Sequence, residues 1–199
     1  MKLLFFGDSI TFGYDPRLGS PGRFDDRTRW SARLAAALEA EAVNFSACGL
    51  CVPSGAAVRR YTAELAAHPD ADVCLVLFGT NDLLRGASPE TVADRLAAFL
   101  RALAAAAGQT RLLCIAPPLL AAGSWTDAAS VRASRALGTC ISQAAEATGC
   151  AFFDAGARPV DLLFDGVHPS AEGHAALAAY LAPAVRTLSE RMNHDRASF

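Results

Sequence analysis

The chain has 199 residues and a formal net charge of −2; 52% of its residues are hydrophobic and 19% are charged. This balance predicts a globular chain, long enough for one domain with a substantial core, and it excludes a disordered protein. With so little net charge and no obvious basic face, a nucleic-acid partner is not expected.

Short apolar segments alternate with longer alanine-rich segments along the chain. The apolar segments predict strands, because strands covered by helices on both faces are almost continuously apolar. The predicted strands lie at 2–6, 42–46, 73–78, 111–116 and 151–154, and the predicted helices at 29–41, 54–67, 89–107, 128–147 and 170–190. The alternation predicts an α/β fold with three αβα layers, in which a flavodoxin-like, five-stranded parallel sheet has helices on both faces. We expect a single domain over 1–190 and a frayed polar tail over 191–199.

No segment has the features of a targeting signal or a membrane span. The apolar stretch after Met1-Lys2 ends at Phe6, which is too short for a signal-peptide core. The most apolar later stretch, 174–185, contains a proline and is also too short to cross a bilayer. We therefore expect a cytoplasmic protein without a membrane partner, whose six cysteines are reduced. Cys48 and Cys51 form an isolated Cys-x-x-Cys pair without further zinc ligands, so no metal is expected and a redox pair stays open.

Unusual polar residues collect where the predicted strands end. Ligand sites in parallel α/β sheets lie beyond the carboxyl ends of the strands, so this coincidence predicts an active site. The segments at the five strand ends read FGDSIT, NFSACGL, FGTND, APPLL and DAGARPVDLLFDGVHP.

The first strand end, FGDSITFG, does not have the pattern of a phosphate-binding loop. Gly7 and Gly13 are six residues apart with no lysine between them, so the Walker loop is missing. The second glycine of the dinucleotide fingerprint is also missing. No nucleotide cofactor is therefore expected.

A nucleophile is the alternative role for this turn. Ser9 would attack a carbonyl carbon, provided that a base and an orienting acid exist elsewhere. The segment FDGVHPS supplies both, because Asp165 and His168 are three residues apart in a tight turn and can point to the same side. In this arrangement His168 takes the proton of Ser9 and Asp165 holds the imidazole tautomer.

Acyl transfer also needs hydrogen-bond donors for the oxyanion that develops on the substrate. Three donors lie at neighbouring strand ends: the backbone N–H groups of Ser9 and Gly49 and the side-chain amide of Asn81. Glycine at position 49 lets the backbone approach a substrate closely. Two aspartates next to these residues, Asp8 and Asp82, are expected to support the site through hydrogen bonds.

Two aromatic residues near these strand ends have open roles. Trp125, in the loop after the fourth strand, either lines the substrate pocket or packs beneath its own loop. Tyr14 and the arginine-rich loop 14–29 either shape the site or contact a second subunit, as a homo-oligomer would require.

Four segments resemble, in order, the motif blocks of the SGNH hydrolases, also called GDSL esterases/lipases: GDSIT, Asn44–Gly49, GTND and DGVHP. The resemblance extends from Gly7 to about Gly173. It implies that Ser9 is the nucleophile, that Gly49 and Asn81 are oxyanion donors, and that Asp165 and His168 complete the triad. The segments Arg23–Trp30, APPLL and FFDAG are similar to the arylesterase branch, which implies short-chain carboxylic esters, aryl esters among them, and acyl transfer to acceptors other than water.

The predicted function is that of a serine esterase with an acyl-enzyme intermediate, whose partner is a small-molecule ester. Within the family, a carbohydrate O-deacetylase, a lysophospholipase or a thioesterase remains an alternative. A binuclear metallophosphoesterase is disfavoured, because Thr11 stands where its second aspartate is required after Gly7-Asp8. A generic α/β-hydrolase is disfavoured by the same Thr11, which replaces the glycine of its nucleophile elbow. A catalytically silent binding module is the last alternative.

Overall fold

The computed structural model describes residues 1–19 and 22–197, with a five-stranded parallel sheet at its centre. The strands are β1 (Lys2–Gly7), β2 (Glu41–Asn44), β3 (Val73–Leu77), β4 (Arg111–Ala116) and β5 (Ala151–Asp154). Their order across the sheet is β2-β1-β3-β4-β5, and every neighbouring pair is parallel. The predicted α/β class with a five-stranded parallel sheet is confirmed.

Seven helices join and cover the strands within the described residues. They are α1 (Ser9–Phe12), α2 (Trp30–Ala37), α3 (Ala56–Ala66), α4 (Thr80–Leu84), α5 (Pro89–Ala106), α6 (Ala128–Glu146) and α7 (Ala171–Ala197). Helices α3, α5 and α6 contribute to the core on one face of the sheet, and α2 and α7 contribute to the core on the other. The three predicted layers follow from this division.

Strand β1 shows why its sequence is continuously apolar. Leu4 and Phe6 face the core on the side of α3, α5 and α6, whereas Leu3 and Phe5 face the core on the side of α2 and α7. All four side chains are fully buried. Because successive strand residues point to opposite faces, a strand between two helical layers needs apolar residues at every position.

Several predicted element ends are wrong. The helix predicted over 29–41 ends at Ala37, and residue 41 already begins the second strand. The second strand ends at Asn44 and not at residue 46, because the Asn44 side chain accepts a hydrogen bond from Ser46 N at 3.0 Å and turns the chain. The last helix continues to Ala197 instead of ending at residue 190, since no glycine or proline follows Pro183. The frayed tail expected over 191–199 stays a prediction, and residues 198–199 lie outside the described residues.

The strand order determines which loops meet. The carboxyl ends of β1 and β3 are neighbours, so the turn that begins with Asp8 and helix α4 lie side by side. The segment after β5 approaches from the other edge of the sheet. None of the helices in the described parts of the chain is long and apolar enough to span a membrane.

Candidate active site

Ser9 is the first residue of α1, a single helical turn that directly follows β1. Asp8 caps this turn, because its carboxylate accepts a hydrogen bond from Ile10 N at 2.9 Å. Gly13 ends the turn in the left-handed region, with φ +81°, and its N–H donates to Ser9 O. Asp8 therefore caps the turn that carries Ser9, and its supporting role in the site stays a prediction.

Gly7 makes the sharp exit from the strand possible. A Cβ atom at position 7 would lie 2.3 Å from the Thr11 hydroxyl oxygen and 3.0 Å from the carbonyl oxygen of Leu77. Any other residue would therefore push α1 away from the end of β1. The glycine is required by close packing and not by a bound phosphate.

Ser9, His168 and Asp165 form one hydrogen-bonded chain. Ser9 Oγ lies 2.9 Å from His168 Nε2, and His168 Nδ1 lies 2.7 Å from Asp165 Oδ2. The three residues are at most 5% exposed. In a neutral imidazole with the proton on Nδ1, Nε2 can accept the hydroxyl proton of Ser9, so this arrangement can activate a nucleophile.

The acid of this chain is held by its own loop. Asp165 Oδ1 accepts hydrogen bonds from Val167 N at 2.9 Å and from His168 N at 3.0 Å. Burial raises the pKa of Asp165, but the hydrogen bonds from the side chain and backbone of His168 and from Val167 outweigh burial, and the pKa lies below its ordinary value. Asp165 is therefore ionised at neutral pH and orients the imidazole.

The loop that contains Asp165 is packed tightly against the loop after β4. A Cβ atom on Gly166 would lie 2.3 Å from Ala121 O, and one on Gly123 would lie 2.2 Å from the carbonyl carbon of Asp165. Gly166 also has a φ of +75°. Both glycines are needed for this close approach, which keeps Asp165 fully buried.

Two of the predicted oxyanion donors, Gly49 and Asn81, follow the strands β2 and β3, which flank β1 in the sheet. Asn81, the second residue of α4, donates one hydrogen bond from its side-chain amide to Leu50 O at 3.0 Å. An amide group has two N–H donors, so one remains for another acceptor. Gly49 lies in an exposed turn with φ +74°. Within the residues that the structure describes, neither the Ser9 nor the Gly49 backbone N–H has a protein acceptor.

Asp82 supports this side of the site from within α4. Its carboxylate accepts hydrogen bonds from Val52 N at 2.8 Å and from Arg95 at 2.9 Å. The adjacent Thr80 is also buried, and its hydroxyl has no partner among the described residues.

Asp8 has an unusually high pKa for an aspartate. It is fully buried, and its second carboxylate oxygen has no hydrogen-bond partner in the described part of the chain. Burial and the nearby negative charge of Asp82 raise the pKa of Asp8 to about 7, although the hydrogen bond from Ile10 N opposes this shift. Asp8 is consequently close to half-protonated at neutral pH.

Two aromatic rings contact the imidazole of His168. The ring centroid of Tyr14 lies 4.9 Å from that of His168, and the centroid of Trp125 lies 5.4 Å from it, both in edge contacts. Trp125 is 50% exposed, so one part of its ring is free to contact a ligand. Of the two alternatives for Trp125, the structure favours a position beside the site.

The arginines of the loop 14–29 are bound locally in the described residues. Arg17 forms an ion pair with Asp15 at 2.8 Å, and Arg29 pairs with Asp26. Arg23 donates to Phe12 O at 2.8 Å and lies over the Phe12 ring. The Arg23 contacts attach the loop to the helix that carries Ser9, whereas the two ion pairs lie within the loop.

A second histidine, His174 near the start of α7, is fully buried. Its Nδ1 accepts a hydrogen bond from Trp30 N at 3.3 Å, and the Trp30 indole in turn donates to Ile10 O at 3.0 Å. Burial, followed by the nearby His168 and Arg29, lowers the pKa of His174 to about 4, so the imidazole is neutral. His174 thus supports α1 through Trp30, which binds both the imidazole and the Ile10 carbonyl.

The sequence alone assigns no role to three residues that lie near the site. Asn44 donates from its side chain to Thr11 O at 3.2 Å and ties β2 to α1. Arg85 binds the loop after β2, and Arg95 binds Asp82. Of these, only Asn44 lies within a motif block recognised in the sequence. The described residues contain no group of three or more His, Cys, Asp and Glu side chains that could hold a metal ion.

The comparisons with known proteins agree with this geometry. The model of the GDSL-like lipase/acylhydrolase family matches residues 5–176. Two solved structures, a carbohydrate acetylesterase from Sinorhizobium meliloti and the native aryl esterase of M. smegmatis, are each 25% identical to the chain, with a TM-score of 0.80. Each similarity covers 94% of this chain and 99% of the other. A comparison with curated protein sequences gives no significant match.

The family match spans most of the chain. The protein therefore belongs to the GDSL-like lipase/acylhydrolase family, and it is a carboxylic ester hydrolase.

Proposed function

We propose that this carboxylic ester hydrolase is a serine esterase for short-chain esters, aryl esters included, and that it acts through an acyl-enzyme. The observation that carries the proposal is the buried chain of hydrogen bonds from Asp165 through His168 to Ser9, with distances of 2.7 and 2.9 Å. This is the arrangement of nucleophile, base and acid that acyl transfer to a serine requires.

In the first half of the reaction, Ser9 Oγ attacks the ester carbonyl carbon while His168 Nε2 takes the hydroxyl proton. The negative charge of Asp165 stabilises the imidazolium that forms. The tetrahedral intermediate collapses when the carbon–oxygen bond to the alcohol breaks, and the imidazolium returns its proton to the departing alkoxide. The product of this half is an acyl group on Ser9 and a free alcohol.

In the second half, a water molecule attacks the acyl-enzyme and gives its proton to His168. The new tetrahedral intermediate collapses, Ser9 leaves and takes the proton back, and the carboxylic acid is released. In both halves the carbonyl oxygen becomes an oxyanion. The N–H groups of Ser9 and Gly49 and the second amide proton of Asn81 are proposed to donate to this oxyanion.

The aromatic rings beside His168 support the substrate class. The alcohol leaves next to the imidazole that protonates it, so Tyr14 and Trp125 lie on the leaving-group side of the reaction. A half-exposed indole offers a flat apolar surface to a planar alcohol such as a phenol. The similarity to an aryl esterase agrees with this choice.

An acetylated carbohydrate is the second candidate substrate, because the same exposed indole face of Trp125 can pack against a sugar ring. The similarity to a carbohydrate acetylesterase favours it equally. Rates on phenyl acetate and on an acetylated sugar distinguish the two candidates. A series of p-nitrophenyl esters of increasing acyl length separates both from a lysophospholipase or thioesterase.

The proposal is tested by hydrolysis of p-nitrophenyl acetate. Ser9→Ala is expected to lower kcat by several orders of magnitude, whereas Ser54→Ala, at an exposed serine before α3, is expected to retain it. Chelator treatment is expected to leave the rate unchanged. Near-normal turnover by Ser9→Ala, or loss of activity on chelation, would contradict the serine mechanism.

A further inference from the structure

Two side chains of helix α4 and the side chain of its C-terminal cap residue contact the loop that carries Gly49. Asn81 donates to Leu50 O at 3.0 Å, and Asp82 accepts from Val52 N at 2.8 Å. Arg85, the residue that caps the helix, donates to Gly49 O at 2.9 Å and to Cys51 Sγ at 3.2 Å. We call this set of contacts between α4 and residues 49–52 the α4 clamp.

The loop has little else to fix its backbone around Gly49. Residues 47–49 are exposed, and the hydrogen bond that precedes them, from Ala47 N to Gly7 O, is long at 3.4 Å. A Cβ atom added to Gly49 would have only the Arg85 guanidinium within 4 Å in the described structure. The direction of the Gly49 N–H is thus not determined by packing.

Polar contacts of the two carbonyl groups that follow the Gly49 N–H along the chain can restrict that direction. The carbonyl groups of Gly49 and Leu50 belong to the two peptide units that follow the Gly49 N–H, and Arg85 and Asn81 bind these carbonyls in turn. Because these two planes meet at the Leu50 Cα, holding both restricts φ and ψ of Leu50 and fixes the peptide unit that follows the Gly49 Cα. Only rotation about the φ and ψ bonds of Gly49 itself can then turn the Gly49 N–H, and the Arg85 contact with Gly49 O holds the nearer end of these bonds. Asn81 is itself proposed to be an oxyanion donor and Asp82 binds Val52 N, so Arg85 is the member of the α4 clamp that contacts Gly49 directly without being a proposed donor.

Arginine suits this role better than another cation. Its guanidinium is planar and offers five N–H donors in a fixed geometry, so one side chain can bind the Gly49 carbonyl and the Cys51 sulfur simultaneously. Lysine presents a single flexible ammonium group, which can hold either partner but does not define a plane. Because Arg85 is exposed, its contacts are expected to add little to the stability of the fold.

From these observations we propose that Arg85 is a positioning residue for the oxyanion hole, which aims the Gly49 N–H through the Gly49 and Cys51 contacts. The inference rests on the proposed serine mechanism, in which the Gly49 N–H stabilises the transition state. Donors of this kind act on the charge that develops during the reaction, so their misalignment lowers kcat and leaves the binding of the uncharged ester unchanged.

The test compares Arg85→Ala with Arg85→Lys and with Arg101→Ala, a control at an exposed arginine of α5. Complete loss of one oxyanion donor costs about a hundredfold or more in kcat, so misalignment in Arg85→Ala is expected to cost about tenfold, at unchanged KM for p-nitrophenyl acetate. Arg85→Lys is expected to lie between the wild type and Arg85→Ala, and Arg101→Ala to match the wild type.

A boronic acid provides a readout that a structural role would not affect. It adds to a serine as a tetrahedral anion, so its affinity is expected to weaken in Arg85→Ala by the same factor as kcat/KM, while the thermal midpoint stays within a few degrees of the wild type. An unchanged kcat in Arg85→Ala, a change in KM alone, or unchanged boronate affinity would overturn the role of Arg85.

The two proposals fail in different ways. Labelling of the wild type by a fluorophosphonate reports on Ser9 alone. If Ser9 is labelled and Arg85→Ala keeps its kcat, the serine mechanism stands and the positioning role of Arg85 is wrong. If no adduct forms at Ser9, the serine mechanism itself is wrong, and the role of Arg85 falls with it.

Discussion

The two sides of Ser9 are built in different ways. On one side, Asp165 and His168 belong to one buried turn, in which the hydrogen bonds of the Asp165 carboxylate join residues at most three positions apart. The backbone of this turn is also bound to the loop after β4, through Trp125 N to Asp165 O at 3.2 Å and Ala121 N to Gly166 O at 3.0 Å. On the other side, the loop with Gly49 is exposed, and the bonds that hold it reach residues of α4 that are 30 to 36 positions away. The proposed proton-transfer side is therefore a buried turn packed against the loop after β4, whereas the loop of the proposed oxyanion side is exposed and is held by polar contacts with α4 and its cap.

This difference has a chemical reason. The imidazole must keep one tautomer and one orientation through the reaction, and a buried carboxylate with three hydrogen-bond donors provides both. The oxyanion donors must meet a substrate that enters from solvent, so their loop cannot be buried. Hydrogen bonds from a neighbouring helix can order such a loop and still leave its N–H groups accessible.

Asp165→Asn tests the buried side and is expected to have the largest effect. An amide would favour the wrong imidazole tautomer, so kcat for p-nitrophenyl acetate is expected to fall by about 10⁴-fold with the fold intact. Asp161→Asn, at an exposed position of the preceding segment, is the matched control and is expected to keep full activity. A loss of less than tenfold in Asp165→Asn would show that the buried carboxylate does not control the imidazole.

Asn81→Ala tests the exposed side. It removes one proposed oxyanion donor and also the bond to Leu50 O, and we expect kcat to fall by about a hundredfold or more. The effect is expected to appear in kcat and not in KM, as steady-state kinetics can show. An unchanged kcat would exclude Asn81 from the oxyanion hole.

Two glycines with nearly the same backbone angle sharpen the comparison. Gly166 and Gly49 have φ values of +75° and +74°, but an added Cβ meets Ala121 O at 2.3 Å at the first position and only the end of Arg85, at 4.0 Å, at the second. Gly49→Ala is expected to cost about 1 kcal/mol from the backbone alone, and Gly166→Ala about 3 kcal/mol or more because its neighbours must also move. Urea unfolding measures both values, and equal losses would refute the distinction between a packed and an open loop.

Two buried groups, Asp8 and His174, are expected to have opposite effects on the pH dependence of the free energy of unfolding. The pKa of Asp8 rises from 3.8 to about 7 on folding, so the folded state binds more protons and stability falls as pH increases from 4 to 7. The pKa of His174 falls from 6.5 to about 4, so the unfolded state binds more protons and stability rises over nearly the same range. The two slopes oppose each other in the wild type.

A single substitution at Asp8 or His174 removes one of the two pH-dependent contributions to the free energy of unfolding. Relative to the wild type, Asp8→Asn is expected to gain stability as pH rises from 4 to 7, and His174→Asn is expected to lose it, each by at most about 1.4 kcal/mol per pH unit. Urea unfolding at pH 4.5, 5.5 and 6.5 measures the differences. Parallel curves for the three proteins would contradict the shifted pKa values.

The sequence predicts the sheet well and brings Asp165 and His168 together, because both depend on local patterns; the roles of these two residues stay predictions. Continuous apolar segments identify strands between two helical layers, and Asp165 and His168 lie within four residues of each other. Helices α1 and α4 are missed, since four or five residues are too short to show a helical period. The contacts of Arg85 with Gly49 and Cys51 are missed for another reason: they join residues 34 and 36 positions apart, and no local pattern encodes that pairing.

The most direct test of the serine mechanism is labelling of the wild type with a fluorophosphonate, followed by intact-mass measurement and peptide mapping. Ser9 is expected to displace fluoride and form one phosphonate adduct, on the peptide that contains residues 7–13. Ser9→Ala is expected to form none, and Asp165→Asn to react far more slowly. An adduct on another residue, or no adduct in the active wild type, would contradict the role of Ser9 as the nucleophile.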